Sequence, residues 1–282
     1  MITFKEYFVL FERKDIERNI SVNKALDKFY KDLVEHYNTE FENIFINRDE
    51  LEDWFEWYDD LPPIEINGNI VSVNIDRSCD NAGARCQYVD NGMNIILHDT
   101  VLYSLVEALV ILVEEFRFPE QPITEEDANN ITQQAKGIIE QILKNLKDPY
   151  WRSVLFHELI HALEYDYKSR DVYDTTSSLE DKKNTKKSNR ILRTNSGHIQ
   201  EFKNKTYFNL EAEVNAFYQE ILNKVLQIPN ISNYSFEEFK KLFMFEILEY
   251  SKDQDFDMWS KLSRKNKKRM LKRLSDAWIN LK

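Results

Sequence analysis

His157-Glu158-Leu159-Ile160-His161 sets two imidazoles four residues apart, with a carboxylate directly after the first. On an α-helix, positions i and i+4 project from one face about 6 Å apart, so two neutral imidazoles there can share one metal ion. Glu158 then lies about 100° round the helix from His157, close to the ion but aimed at a water in its open position. Such a water needs a base to take its proton, and a carboxylate supplies one. The chain has five histidines, His36, His98, His157, His161 and His198, and two of the five fall in this one turn. Val154, Leu155 and Phe156 precede the motif, and Ala162 and Leu163 follow it. Apolar flanks bury the helix on its ligand-bearing side, where polar side chains need a partner that a metal ion would provide.

The elements that must position this turn can be read in order. Asp148-Pro149 is a good start for the motif helix, an Asx cap with proline in the first helical position. Further back, Ser21 caps a helix in which Leu26, Phe29, Leu33 and Tyr37 recur at helical spacing. Glu50 to Tyr58 is a second short helix, closed by Asp59-Asp60-Leu61-Pro62-Pro63. Beyond the double proline the period changes from 3.6 to 2. Ile64, Ile66, Ile70, Val71, Val73 and Ile75 predict strands around an Asn67-Gly68 turn. A second hairpin joins Ala84–Val89 to Met93–His98 through Asp90-Asn91-Gly92. Helices return with Val101 to Phe116, and with a Thr124/Asp127 capping box ahead of Ile131, Ala135, Ile138, Ile142 and Leu146. The polar run 168–189 reads as a mobile surface loop. Helices then span Asn209 to Ile228 and follow Ser235, whose capping box runs to Glu238.

A catalytic zinc takes three protein ligands and keeps one position open. The metzincin extension puts Gly at the third residue after the second histidine and His at the sixth; this chain has Glu164 and Tyr167 there. The other common solution is a glutamate on a later helix, and Asn209 to Phe217 offers Glu211 and Glu213. HELIH followed downstream by Glu213-Val214-Asn215-Ala216 resembles the gluzincin group of zinc metallopeptidases, to which thermolysin belongs. The small residue three after the glutamate lets two helices pack closely in that group. The resemblance covers the two helices and the preceding sheet. It implies one Zn²⁺ held by His157, His161 and Glu213, with Glu158 as general base for peptide-bond hydrolysis. It further implies a Tyr or His at the oxyanion, for which His198, Tyr207 and Tyr218 are candidates, and a sheet edge, 83–89 or 93–98, that holds the substrate as an added strand. The implied fold is α+β and predominantly helical, a zincin-like core with a small antiparallel sheet packed on the HExxH helix. Two departures stand out. Glu213 lies 52 residues after His161 (213 − 161), a long spacing that the 168–189 loop absorbs. The acidic residue that gluzincins carry four after the ligand glutamate is replaced here by Phe217.

Composition bounds the alternatives. With 282 residues, 42% hydrophobic and 13% aromatic, the chain can bury a real core. A net charge of −11 disfavours general nucleic-acid binding. The last thirty-one residues invert that balance, with ten basic and four acidic side chains. Arg264 to Arg273 reads as the solvated face of an amphipathic helix with Met270, Leu271, Leu274 and Trp278 inward, or else as a dock for nucleic acid or an acidic partner. No run approaches the length of a membrane span, and the N-terminus lacks a signal-peptide pattern, so the expectation is a cytoplasmic protein. Cys79 and Cys86 are two free thiols or one local bridge. Richness in Lys, Asn and Ile fits an AT-rich genome such as that of a phage or a low-GC bacterium. The expected organisation is a helical extension over 1–60, a metallopeptidase core over 61–228 and a helical segment over 229–282. Two other functions compete with a general peptidase: a non-catalytic structural or assembly protein on a zincin-like scaffold, and a regulatory protease with one dedicated protein target.

Overall fold

Between Phe4 and Phe41 the chain has neither glycine nor proline, and those residues form one uninterrupted helix, α1, which closes with a π turn at Glu42–Ile46. The computed structural model describes residues 4–46, 60–76, 84–89, 92–119, 122–167, 211–253 and 257–282. After α1 come strands β1 (Asp60–Ile66), β2 (Asn69–Asp76), β3 (Ala84–Val89) and β4 (Gly92–His98). Among the described residues seven α-helices follow: α2 (Thr100–Arg117), α3 (Glu125–Leu146), α4 (Pro149–Tyr167), α5 (Glu211–Leu226), α6 (Phe236–Asp253), α7 (Met258–Lys261) and α8 (Arg264–Leu281), with a 3-10 turn at Ile231–Asn233. The class is therefore α+β and mostly helical with a small sheet. The helix expected over 50–58 and the loop 168–189 lie outside the described residues.

Residues 21–162 form one compact unit, and residues 1–20 with 163–282 form another. In the first, the buried stripe of α1 is Val22, Ala25, Leu26, Phe29, Leu33 and Tyr37, spaced three and four apart. Ser21 does not begin this helix. It sits inside α1, and its hydroxyl donates to Asn67 Oδ1 at 2.8 Å. A serine favours caps because its side chain competes for backbone partners, and here the Asn67 side chain occupies it instead.

Asn67 and Gly68 both have positive φ, 51° and 82°, the backbone a two-residue hairpin turn needs. The β1–β2 hairpin begins earlier than the sequence pattern suggests, at Asp60, so Pro62 and Pro63 lie inside β1. They are accommodated because β1 is an edge strand whose register shifts between Leu61 and Ile64. The sheet order is β1-β2-β4-β3. Both hairpins are antiparallel, but they meet through β2 and β4, which run parallel, so the sheet is mixed and the expectation of an antiparallel sheet is corrected. Turn residues specify pairing within a hairpin. Which strands two hairpins share depends on faces brought together by the rest of the chain. β4 becomes interior, with Ile95, Ile96 and Leu97 all buried.

Asp99 caps α2, its carboxylate accepting from Val101 N at 2.6 Å and Leu102 N at 3.1 Å. The capping box at α3 is complete: Thr124 Oγ1 accepts from Asp127 N at 3.1 Å while Asp127 Oδ2 accepts from Thr124 N at 3.2 Å. α3 buries Ile131, Ala135, Ile139, Ile142 and Leu146 against α2. Ile139 rather than Ile138 holds the fully buried place, one residue round the helix from the expected stripe. α4 starts at Pro149, with Asp148 Oδ1 accepting from Tyr150 N at 2.8 Å.

In the second unit, α5, α6, α7 and α8 share an apolar core that includes Tyr218, Ile221, Phe239, Phe243, Met258 and Leu274. The Ser235/Glu238 box opens α6, Glu238 Oε2 accepting from Ser235 N at 2.8 Å. α8 buries Asn266, Met270, Leu274 and Ala277, while Leu271 and Trp278 pack partly buried on the same core. Arg264, Lys265, Lys268, Arg269 and Lys272 are exposed, as the solvated-face reading expects, but Arg273 turns inward. Among the described residues no helix is long and apolar enough to cross a membrane.

Candidate metal centre

α4 turns its apolar residues inward, while Arg152 in its first turn pairs with Asp27 at 2.8 Å. Trp151, Leu155, Phe156, Leu159, Ile160, Ala162 and Leu163 are all buried. His157 is buried among them at 8% exposure, and Glu158 and His161 are half-buried. A buried imidazole calls for a polar partner, and a metal ion is one that two imidazoles on one helix turn can share.

The Nε2 atoms of His157 and His161 lie 3.3 Å apart, with the ring planes 71° from each other. Two nitrogens each about 2.05 Å from a tetrahedral zinc stand about 3.3 Å apart, so the separation matches one edge of that tetrahedron. One ring could instead donate to the other, but 3.3 Å is long against the usual hydrogen-bond range of about 2.7–3.2 Å. Glu213, half-buried near the start of α5, completes the group. One ligand atom from each of His157, His161 and Glu213 lies within 4.8 Å of the others. These three side chains could hold a metal ion, and the donor set of two imidazoles and a carboxylate is one that zinc accepts.

The remaining predicted site residues are placed as follows. His198 and Tyr207 lie outside the described residues. Tyr218 is fully buried, its ring 5.7 Å from that of Phe243 and 4.0 Å under the Arg273 guanidinium. Burial pushes its phenol well above the ordinary value against the opposing effect of Arg273. Its hydroxyl meets no hydrogen-bond partner among the described residues. Among the described residues β3 is an edge of the sheet and β4 is interior, so of the two strands considered for substrate it is 84–89 that lies at an edge there.

Cys86, at the middle of β3, has a role that no spacing in the sequence marks. It carries a free thiol, pushed up to about 12 by burial and by the negative charge of Glu158. A thiol held there is almost entirely protonated at pH 8, so Cys86 should react with iodoacetamide about a thousandfold more slowly than an unburied cysteine. Peptide mass mapping at timed intervals separates it from Cys79; an ordinary alkylation rate at Cys86 would show the thiol to be neither buried nor beside the carboxylate.

No family model matches the chain, and no curated protein or solved structure matches it.

Proposed function

We propose that the chain is a zinc-dependent peptidase that hydrolyses peptide bonds, with His157, His161 and Glu213 as ligands and Glu158 as general base. The observation that carries this reading is the His157–His161–Glu213 group, whose two imidazole nitrogens stand at the spacing of a tetrahedral edge. Among the described residues the group has three protein donors, the number that leaves a catalytic zinc one position for water or substrate. A purely structural zinc closes its fourth position with protein and has no use for a neighbouring base. Zinc in this group supplies Lewis acidity, polarising the scissile carbonyl and lowering the pKa of the attacking water towards about 7.

The chain's own residues do the rest. Glu158 stands about 100° round α4 from His157, where its carboxylate takes the water's proton and passes it to the leaving amine nitrogen. Among the described residues β3 is a sheet edge that offers backbone N–H and C=O groups to an extended peptide, and the Glu158 charge is one of the two causes that raise the Cys86 thiol at its centre. The buried apolar wall of α4 around His157 excludes bulk water. The substrate class is accordingly a peptide or protein segment in extended form.

Purified protein dialysed against a metal-free buffer and analysed for metals should retain about one zinc per chain. His157→Ala, His161→Ala and Glu213→Ala should each lose it under the same dialysis. A parent chain that takes up no zinc, or a Glu213→Ala variant that holds it as well as the parent, overturns the assignment.

A further inference from the structure

Glu213 leaves one side of α5, and the opposite side of that helix is gripped by charge. At 100° per residue, Tyr218, Asn215 and Gln219 stand about 140°, 200° and 240° round the axis from Glu213. All three meet one network. Arg273 Nη2 donates to Asp15 Oδ1 at 2.7 Å and Nε to Oδ2 at 3.1 Å, a two-pronged pair in which both side chains are mostly buried. Gln219 Nε2 donates to the same Asp15 Oδ1 at 2.6 Å. Arg273 Nη1 donates to Asn215 Oδ1, Asn19 Nδ2 donates to Gln219 Oε1, and the guanidinium lies 4.0 Å over the Tyr218 ring. One aspartate of α1 and one arginine of α8 thus hold three consecutive-turn positions on the back of α5.

We propose that Asp15 and Arg273 form a charged clamp that sets the rotation of α5, and so the direction in which Glu213 presents its carboxylate to the metal. The inference rests on the metal-site reading above and adds to it the device that aims the third ligand. Apolar packing alone does not supply this. Val214, Phe217, Ile221 and Val225 bury α5 in the core, but burial is non-directional and tolerates a small roll of a helix. A carboxylate about 6 Å from the helix axis moves about 1 Å for every 10° of roll, whereas metal–ligand distances tolerate about 0.2 Å. The planar fork of an arginine on a carboxylate fixes orientation as well as contact. Asp15 and Arg273 are positioning residues, acting through α5.

The test measures zinc affinity by competition with a chromophoric chelator, alongside the melting temperature of the metal-free protein. The double variant Asp15→Leu/Arg273→Met removes both charges together, a change that buried pairs often tolerate. Its metal-free form should melt within about 3 °C of the parent, while Zn²⁺ binds 10- to 100-fold more weakly, the usual effect of losing support behind a ligand. Should the double variant not fold, Arg273→Lys keeps the charge, loses the fork and should weaken Zn²⁺ in the same direction. Zinc affinity within twofold of the parent in either folded variant overturns the clamp, as does a loss that only tracks a fall in metal-free melting. A parent that binds no Zn²⁺ overturns the metal site itself, a result distinct from a parent that binds and variants that match it.

Discussion

Glu158→Gln should keep about one zinc per chain and lose peptide hydrolysis by a factor of about 10²–10⁴. Glutamine has the shape and burial of glutamate, so α4 and its two imidazoles are undisturbed. It cannot accept the proton that the attacking water must lose, nor return one to the amine. Because Glu158 follows His157 by one residue and is not in the ligand group, the variant separates binding from chemistry. Casein digestion followed by released amines, with zinc measured on the same sample, reads both. A variant that keeps full activity sinks the mechanism, and one that loses zinc in step with activity makes Glu158 part of the metal's support rather than its base. Cys86 gives an internal control. Removing the neighbouring negative charge relieves one of the two causes that raise its thiol, while burial, the larger, remains.

Asp15→Leu alone should destabilise the protein by about 3 kcal/mol, a larger loss than in the double variant that also replaces Arg273. The reason is asymmetry. With both present, the guanidinium and carboxylate satisfy one another at 2.7 and 3.1 Å in a setting where their side chains are only 20% and 13% exposed. Deleting the carboxylate strands a mostly buried cation that keeps Asn215 and the Tyr218 face but loses its counter-charge. Replacing both partners removes the stranded charge. Urea titration gives the difference, and a single variant no less stable than the double one contradicts the reading that the pair is buried and coupled. The estimate stays at the lower end of what buried pairs cost because Asn215, the Tyr218 face and residual water still partly serve Arg273.

What could be read from the sequence was governed by interactions between near neighbours. The Thr124/Asp127 and Ser235/Glu238 boxes close over three residues, and both form. Asn67-Gly68 turns as its residue types demand. His157 and His161 are a single turn apart, so their shared face follows from helical geometry. Readings failed where a distant partner decided. Ser21 has the residue type of a cap but lies within α1 and bonds Asn67, 46 residues away. Pro62 and Pro63 look like a boundary, yet they sit in β1 because that strand is at the edge.

The sequence by itself determined the motif helix, its capped start, the two hairpins and the candidacy of Glu213, because each depends on spacing within one element or on a matched pattern. Only the tertiary structure decided that Glu213 falls in one group with the two imidazoles, that β3 rather than β4 lies at the sheet edge among the described residues, and that the sheet is mixed. It also decided that one arginine of a basic run, Arg273, turns inward to an aspartate 258 residues away. The physical reason is common to all of these. Each is a pairing across a long loop of chain, whose partner is selected by shape, charge and burial summed over whole elements, and no local spacing encodes that sum.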